Sequence, residues 1–246
     1  RIQTNLVNRV MQIVSDNLDT RFTVDRIDIS FLYRIRLNQV YLEDLTGDTL
    51  LYAESLTLGI RHISPLRQEV TLGSISLNNT LFSLSIDSAS NLNLTYFIDK
   101  LRGKGKGEGG WKVSFNNIRL RDGRFALKSF YSSPVEYGVN YSDMHVTGIQ
   151  ADLKRFKPPP DSVSFFIQSL RFTERSGFRL DNLSAEFSES KTFLAFRNIS
   201  LVTPNSQMQG DEISLRFKDW GQCKGDSFVR FVKLNIKLNP SNINLQ

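Results

Sequence analysis

The chain has 246 residues, 40% of them hydrophobic and 11% aromatic, enough apolar surface for a sizeable core in an all-β unit. Its net charge of +6 comes from scattered Lys and Arg, and no ribonucleoprotein signature, zinc-finger spacing or basic helix accompanies them, which argues against nucleic-acid binding. One cysteine, Cys223, excludes an internal disulfide framework and a cysteine-cluster metal site, and no run of about 18 apolar residues is present to cross a bilayer as a helix.

The sequence begins at Arg1 and no signal peptide is visible, so it reads as a piece excised or processed from something longer. Apolar residues at Ile2, Leu6, Val10, Ile13, Val14 and Leu18 recur every three to four positions, which predicts an amphipathic helix within residues 1–20. Period-two alternation then takes over. The stretch VYLEDLTGDTLLYAE, Val40 to Glu54, gathers Glu43, Asp44, Asp48 and Glu54 around Gly47. Neighbouring strand carboxylates leave on opposite faces, and the alternate acidic positions of a calcium loop are absent, so the stretch predicts a turn stabilised by Asx hydrogen bonds. In the strand that follows, Leu50, Tyr52, Leu56, Leu58 and Ile60 are expected on one face and Ser55, Thr57, Gly59 and Arg61 on the other.

Ile75, Leu77, Phe82 and Leu84 have the spacing of Ile118, Leu120, Phe125 and Leu127, with NNT and RDG at the centre of each set. This predicts a repeated β-hairpin, and repetition points to an extended architecture. Between the copies, Leu94, Phe97, Ile98 and Leu101 predict a short second helix, and GKGKGEGG over residues 103–110 reads as a flexible linker. Its glycines satisfy GxGxxG by letter, but a dinucleotide loop follows a strand and opens a helix, the reverse of this context. Arg119, Arg121, Arg124 and Lys128 read as a solvated polar face. The prolines of KPPPD, Lys157 to Asp161, divide the chain into halves, and the sequence leaves open whether the second half continues the same sheet. The resulting division is a helix over 1–20, a first β segment with the short helix over 21–102, the linker at 103–110 and a further β segment over 111–246.

A spacing of apolar, any, polar, apolar, any, apolar recurs as VDRIDI, LNQVYL, LGSISL, FNNIRL, LDNLSA and FRNISL, beginning at Val24, Leu37, Leu72, Phe115, Leu180 and Phe196. An inserted residue at a β-bulge keeps such an out-of-phase apolar set on one side and curves the sheet, while short turns between separate strands would produce the same letters. Catalytic patterns are missing. His62 and His145 stand outside any metal-ligand spacing, no GxSxG elbow is present, and Cys223 in WGQCKGD lacks an acyl-transfer signature. The chain is therefore expected to be non-enzymatic, with no cofactor and no metal site.

RIDISFLYRIRLNQVYLEDLTGDTLLYAESLTLGI, Arg26 to Ile60, resembles the start of the periplasmic portion of TamB-type AsmA-like proteins, the translocation and assembly module family, particularly their Bacteroidetes branch. NLNLTYFIDKLR, Asn91 to Arg102, is similar to the short helix after the first strands of that family, and FRNISLVTPNSQMQGDEISLRF, from Phe196, is similar to its later repeats. The resemblance implies a mainly β protein: a curved antiparallel sheet bent into an open groove, or β-taco, with the N-terminal amphipathic helix and one further short helix. It implies periplasmic location, an inner-membrane anchor ahead of the helix, and phospholipid as cargo or assistance in outer-membrane protein assembly. A BamA/TamA-type outer-membrane barrel is the implied protein partner, through a carboxy-terminal part outside this chain. The residues expected to line the groove are Leu56, Leu58, Ile75, Leu77, Phe82, Leu84, Ile118, Leu120, Phe125 and Leu127, with Phe97 and Leu101 on a helix covering one end. The same alternation would serve a filled sandwich, a barrel, or a closed-core docking scaffold without lipid.

Overall fold

The computed structural model describes residues 20–30, 34–64, 67, 69–97, 112–157, 162–218 and 232–244. Its strands are β1 (Phe22–Thr23), β2 (Arg26–Ser30), β3 (Arg34–Glu43), β4 (Thr49–Ser64), β5 (Glu69–Ile86), β6 (Lys112–Ser129), β7 (Asp143–Lys157), β8 (Ser162–Glu174), β9 (Arg179–Leu180), β10 (Asn182–Ser190), β11 (Phe193–Val202), β12 (Gln207–Arg216) and β13 (Lys233–Leu238). One sheet holds them in chain order, with β2 on the flank of β3 and β9 on the flank of β8. Among the described residues β13 pairs only with β12, and β1 and β2 pair only with β3, so the sheet is open and is neither a barrel nor a sandwich.

The sheet is mixed, which corrects the expectation of a purely antiparallel one. β5 and β6 run parallel along their full length, from Glu69 facing Lys112 to Ile86 facing Ser129. Antiparallel neighbours need only a hairpin, whereas parallel ones need a crossover, and residues 87–111 carry the chain back to the far end of the sheet. The repeated hairpin is therefore two long strands side by side: Ile75 faces Ile118, Leu77 faces Leu120, Phe82 faces Phe125 and Leu84 faces Leu127. NNT and RDG are not turns, because Asn79 and Asp122 lie inside continuous strands with φ of 44° and 55°.

The helix expected within residues 1–20 and the linker at 103–110 lie outside the described residues. A helical turn at residues 95–97 begins the second predicted helix, whose Ile98 and Leu101 also lie outside them. β7 and β8 pair across KPPPD, so the half after Lys157 continues the same sheet.

Four of the six out-of-phase patterns are interruptions within strands. Gln39 (φ 53°) in β3 and Asn198 (φ 51°) in β11 occupy the third position of their patterns, LGSISL lies within β5 where the β4–β5 register shifts at Gly59 and Ile60, and FNNIRL lies within β6 in register beside it. The other two are breaks, one between β1 and β2 and one at Asp181 between β9 and β10. Left-handed residues form a line across the sheet: Gln39 in β3, Asn79 in β5, Asp122 in β6 and Gly148 (φ 62°) in β7. At that line each strand's alternation slips by one residue. Leu37, Val40 and Ala53 consequently face one way and form a buried cluster ringed by Phe22, Val24, Ile27, Ile35, Leu56 and Leu77. Bulges of this kind bend strands and strengthen twist, so a line of them is a crease in the sheet.

The slip also corrects the predicted face of β4. Ala53 packs with Leu56, so Tyr52 stands on the opposite, polar face, where it pairs with Tyr41 and its hydroxyl donates to Gln39 Oε1 at 2.5 Å. Leu50 is 3% exposed at the start of β4, beside the register shift between Leu42 and Glu43.

Candidate functional site: an apolar face crossed by rungs

The ten side chains expected to line a groove come together on one face of β4, β5 and β6. Cross-strand pairing arranges them in rungs perpendicular to the strands: Leu58, Ile75 and Ile118 in one, Leu56, Leu77 and Leu120 in the next. Beyond the crease, Phe82 and Phe125 form a third, and Leu84 and Leu127 a fourth. Neighbouring strands lengthen each rung, with Ile35 and Leu153 at the ends of the first, Leu51 and Val146 flanking Phe82 and Phe125, and Met144 beside Leu127. Cross-strand contacts of this type are the unit of sheet stabilisation.

All ten are half-buried. A second layer packed on this face would take such side chains to nearly complete burial. On the crease that crosses this face the smaller residues are nearly fully buried, Val40 at 2%, Ala53 at 0% and Thr80 at 0%. Gly123 belongs to the same line, and a Cβ there would lie 2.8 Å from Leu120 Cδ2 and 3.1 Å from Ile149 Cβ, so any side chain would have to push both aside. Phe97, expected at the groove end, is 5% exposed and is the last described residue of the helical turn at 95–97.

A further set of side chains was not anticipated from the sequence. Phe115 stacks on Phe156 with ring centroids 4.9 Å apart, Phe156 on Phe165 at 5.6 Å and Phe165 on Phe187 at 4.7 Å, and Phe187 meets Phe196 at 5.1 Å. Ile213 and Ile236 continue this lane toward the β13 edge. Offset and tilted rings at these separations are favourable aromatic arrangements. The lane shares the face of the aliphatic rungs, because slips at Arg155 (φ 54°) and Asn198 bring Phe156 into phase with Leu153 and Phe196 into phase with Ile199. The signal in the sequence was the same out-of-phase spacing, present at LKRF as Leu153, Arg155 and Phe156.

The opposite face is polar, with part of its charge paired. Arg119 and Arg121 converge on Asp152, at 3.1 and 2.8 Å, and Ser169 donates to the same carboxylate at 3.4 Å. Burial opposes ionisation of Asp152, but the bonds from Arg121 and Arg119 outweigh it and hold its pKa below the usual value. Arg124 and Lys128 are exposed, as expected of a solvated face.

The acidic stretch at residues 43–48 is a turn. Asp44 Oδ1 accepts bonds from the backbone N–H of Thr46 and Asp48 at 2.9 and 3.0 Å, Gly47 adopts φ 88°, and Asn93 donates to Asp44 Oδ2 at 2.9 Å. Burial raises the pKa of Asp44, and the bonds from Thr46 and Asn93 more than reverse that. The carboxylate is fully engaged in holding the turn. His62 is exposed on β4, and His145 is exposed with Nε2 3.2 Å from Asp143 Oδ1. Among the described residues no cluster of three His, Cys, Asp or Glu is placed to hold a metal ion. Cys223 lies outside the described residues.

No protein-family model matches the chain, and no curated protein matches it.

Proposed function

We propose that this chain is the groove-bearing part of a TamB-type AsmA-like protein, a non-enzymatic periplasmic conduit that carries phospholipid between the inner and outer membranes and so supports outer-membrane biogenesis. The observation that carries the reading is the apolar face itself: rungs of half-buried aliphatic side chains, continued by a phenylalanine lane, on one open sheet. Transit of a lipid through water is opposed by about 0.8 kcal/mol for every exposed methylene, so a chain of about 16 carbons faces a barrier above roughly 10 kcal/mol. A continuous apolar lane removes most of that barrier while leaving the headgroup in water. The crease is compatible with the reading, since a line of bulges bends a sheet and a sheet bent with its apolar face inward would let a narrow acyl chain touch both halves of that face. The resemblance of Arg26 to Ile60 to the family supports the periplasmic setting and an anchor in the inner membrane.

Phospholipid co-purifying under mild conditions is measured by mass spectrometry, in the wild type and in a Leu77→Asp, Leu127→Asp variant whose circular dichroism matches it. Each carboxylate costs an acyl chain beside it roughly 2–3 kcal/mol, so the bound lipid is expected to fall by more than about tenfold. A wild-type chain that carries no lipid and takes up none when it is offered sinks the proposal and leaves a docking scaffold.

A further inference from the structure

Five large exposed apolar or aromatic side chains fall within the connection between β6 and β7: Phe130 (68% exposed), Tyr131 (65%), Val135 (48%), Tyr137 (84%) and Tyr141 (76%). The connection is nonetheless held in place. Phe130 N–H donates to Ile86 O at 2.8 Å, Tyr131 Oη to Ser88 O at 2.6 Å and Asn140 Nδ2 to Ser133 O at 2.8 Å, and the Ser129 N–H closes its base on Ser142 O at 2.8 Å. Its bonds thus organise a loop that keeps its rings in water. Such side chains are ordinarily covered, and a group of them on an ordered segment marks an interaction surface.

The same end of the sheet carries more of them. Leu45 in the β3–β4 turn is 58% exposed, Phe178 in the β8–β9 turn 42% and Ile243 beyond β13 49%. Strand directions put all these connections on one rim: the β3–β4 turn sits beside Thr49, the β6–β7 loop beside Ile86, and the β8–β9 turn beside Val146. The exposed groups are therefore spread along a line of strand ends. A protein partner needs a contiguous complementary patch of some 800 Å² per side. A bilayer interface instead accepts separate side chains dipping into one plane, and tyrosine, with an apolar ring and a polar tip, is enriched at that level.

We infer that this rim, centred on residues 130–141, seats the protein on the interfacial layer of a phospholipid bilayer. Charge specifies which bilayer. From Phe130 to Ser142 the only charged side chain is Glu136, and the arginines at the neighbouring β8–β9 turn are paired, Arg175 with Asp143 at 2.9 Å and Arg179 with Asp181 at 2.7 Å, so the loop and that turn offer no unpaired basic cluster for anionic headgroups, and binding is to zwitterionic lipid and insensitive to salt. The inference stands apart from the lipid groove, since the rim lies at the strand ends and shares no residue with the rungs.

The test is flotation of the 246-residue chain with phosphatidylcholine vesicles, at low and high salt. The wild type is expected to bind at both. Tyr137→Ser with Tyr141→Ser is expected to lower the apparent affinity by about tenfold or more, as two interfacial rings are lost. Tyr137→Trp is expected to keep binding and to blue-shift its emission when vesicles are added. The Leu77→Asp, Leu127→Asp variant is expected to bind vesicles like wild type, which separates failure of the groove from failure of the rim. The inference is overturned if the wild type does not bind, if binding requires anionic lipid and vanishes in salt, or if the double serine variant binds unchanged. It is equally overturned if that variant's effect proves to be loss of self-association, which would assign the rim to a second copy of the chain.

Discussion

Thr80 lies on the crease at 0% exposure, and its hydroxyl has no hydrogen-bond partner among the described residues. It pairs with Ala53, and the positions following the left-handed residues of the neighbouring strands are Val40 and Gly123, so an apolar, close-packed line surrounds a polar atom. Leaving a hydroxyl unpaired in such a place costs about 1–3 kcal/mol, and valine has the same shape without that cost. Thr80→Val is expected to stabilise the fold by about 1 kcal/mol, a rise of roughly 2–4 °C in a thermal melt for a chain of this size. An unchanged or lower melting temperature would mean that the hydroxyl is solvated. The residues that open the crease follow a parallel logic. Asn and Asp tolerate positive φ better than other non-glycine residues, and Asn79 and Asp122 were legible as special positions for that reason. Their identity suggested a turn, however, because the same tolerance serves both hairpin turns and in-strand bulges.

At the scale of the element, β12 and β13 depend on a charged cluster at the end of the sheet. Glu212 accepts bonds from Ser214 Oγ at 2.6 Å, Arg197 Nε at 3.0 Å and Asn235 Nδ2 at 3.1 Å, linking β11, β12 and β13. The Ser214 bond, then the Arg197 bond, lower its pKa from 4.5 to about 2. A carboxylate depressed by folding stabilises the folded state fully above its unfolded pKa and loses that contribution as pH falls toward the folded value. Glu212→Gln is therefore expected to be less stable than wild type at neutral pH, with the gap closing between about pH 4.5 and pH 2. Denaturant midpoints of both proteins across that range give the answer, and a gap independent of pH would refute the assignment. Gly210 reinforces the junction: a Cβ there would lie 2.9 Å from Lys237 O, so β13 approaches where only glycine leaves room.

For the whole molecule, the decisive property is that one sheet ends in exposed edges. Among the described residues β13 presents unpaired backbone on its outer side, together with Leu234, Ile236 and Leu238, exposed by 56, 51 and 45%. Such an edge invites a second strand, and lysine is a common deterrent. An antiparallel β13–β13 pair centred on Asn235 would set Lys233 of one copy against Lys237 of the other. Sedimentation is expected to find a monomer at low ionic strength and a growing dimer fraction as salt screens the lysines, with Ile236→Lys monomeric throughout. Dimerisation that weakens with salt, or survives that substitution, would place the contact elsewhere.

What the sequence by itself determined was local. Period two made this a β protein, the Asp44 to Asp48 spacing made an Asx-stabilised turn, and the out-of-phase patterns marked where the alternation slips to keep leucine, isoleucine and phenylalanine on one side. Each follows from a residue's own backbone preference or from neighbours a few positions away. What only the tertiary structure decided was pairing. The 43-residue spacing between Ile75 and Ile118 is the same whether the copies form hairpins or lie side by side, and only the crossover made them parallel neighbours in register. The phenylalanine lane has the same origin, since Phe115, Phe156, Phe165, Phe187 and Phe196 are far apart in the chain and meet only because five strands align their slips. The open edges were likewise beyond reach, because a side-chain pattern records which face is apolar, whereas closure depends on which backbone hydrogen bonds remain when the last strand is added.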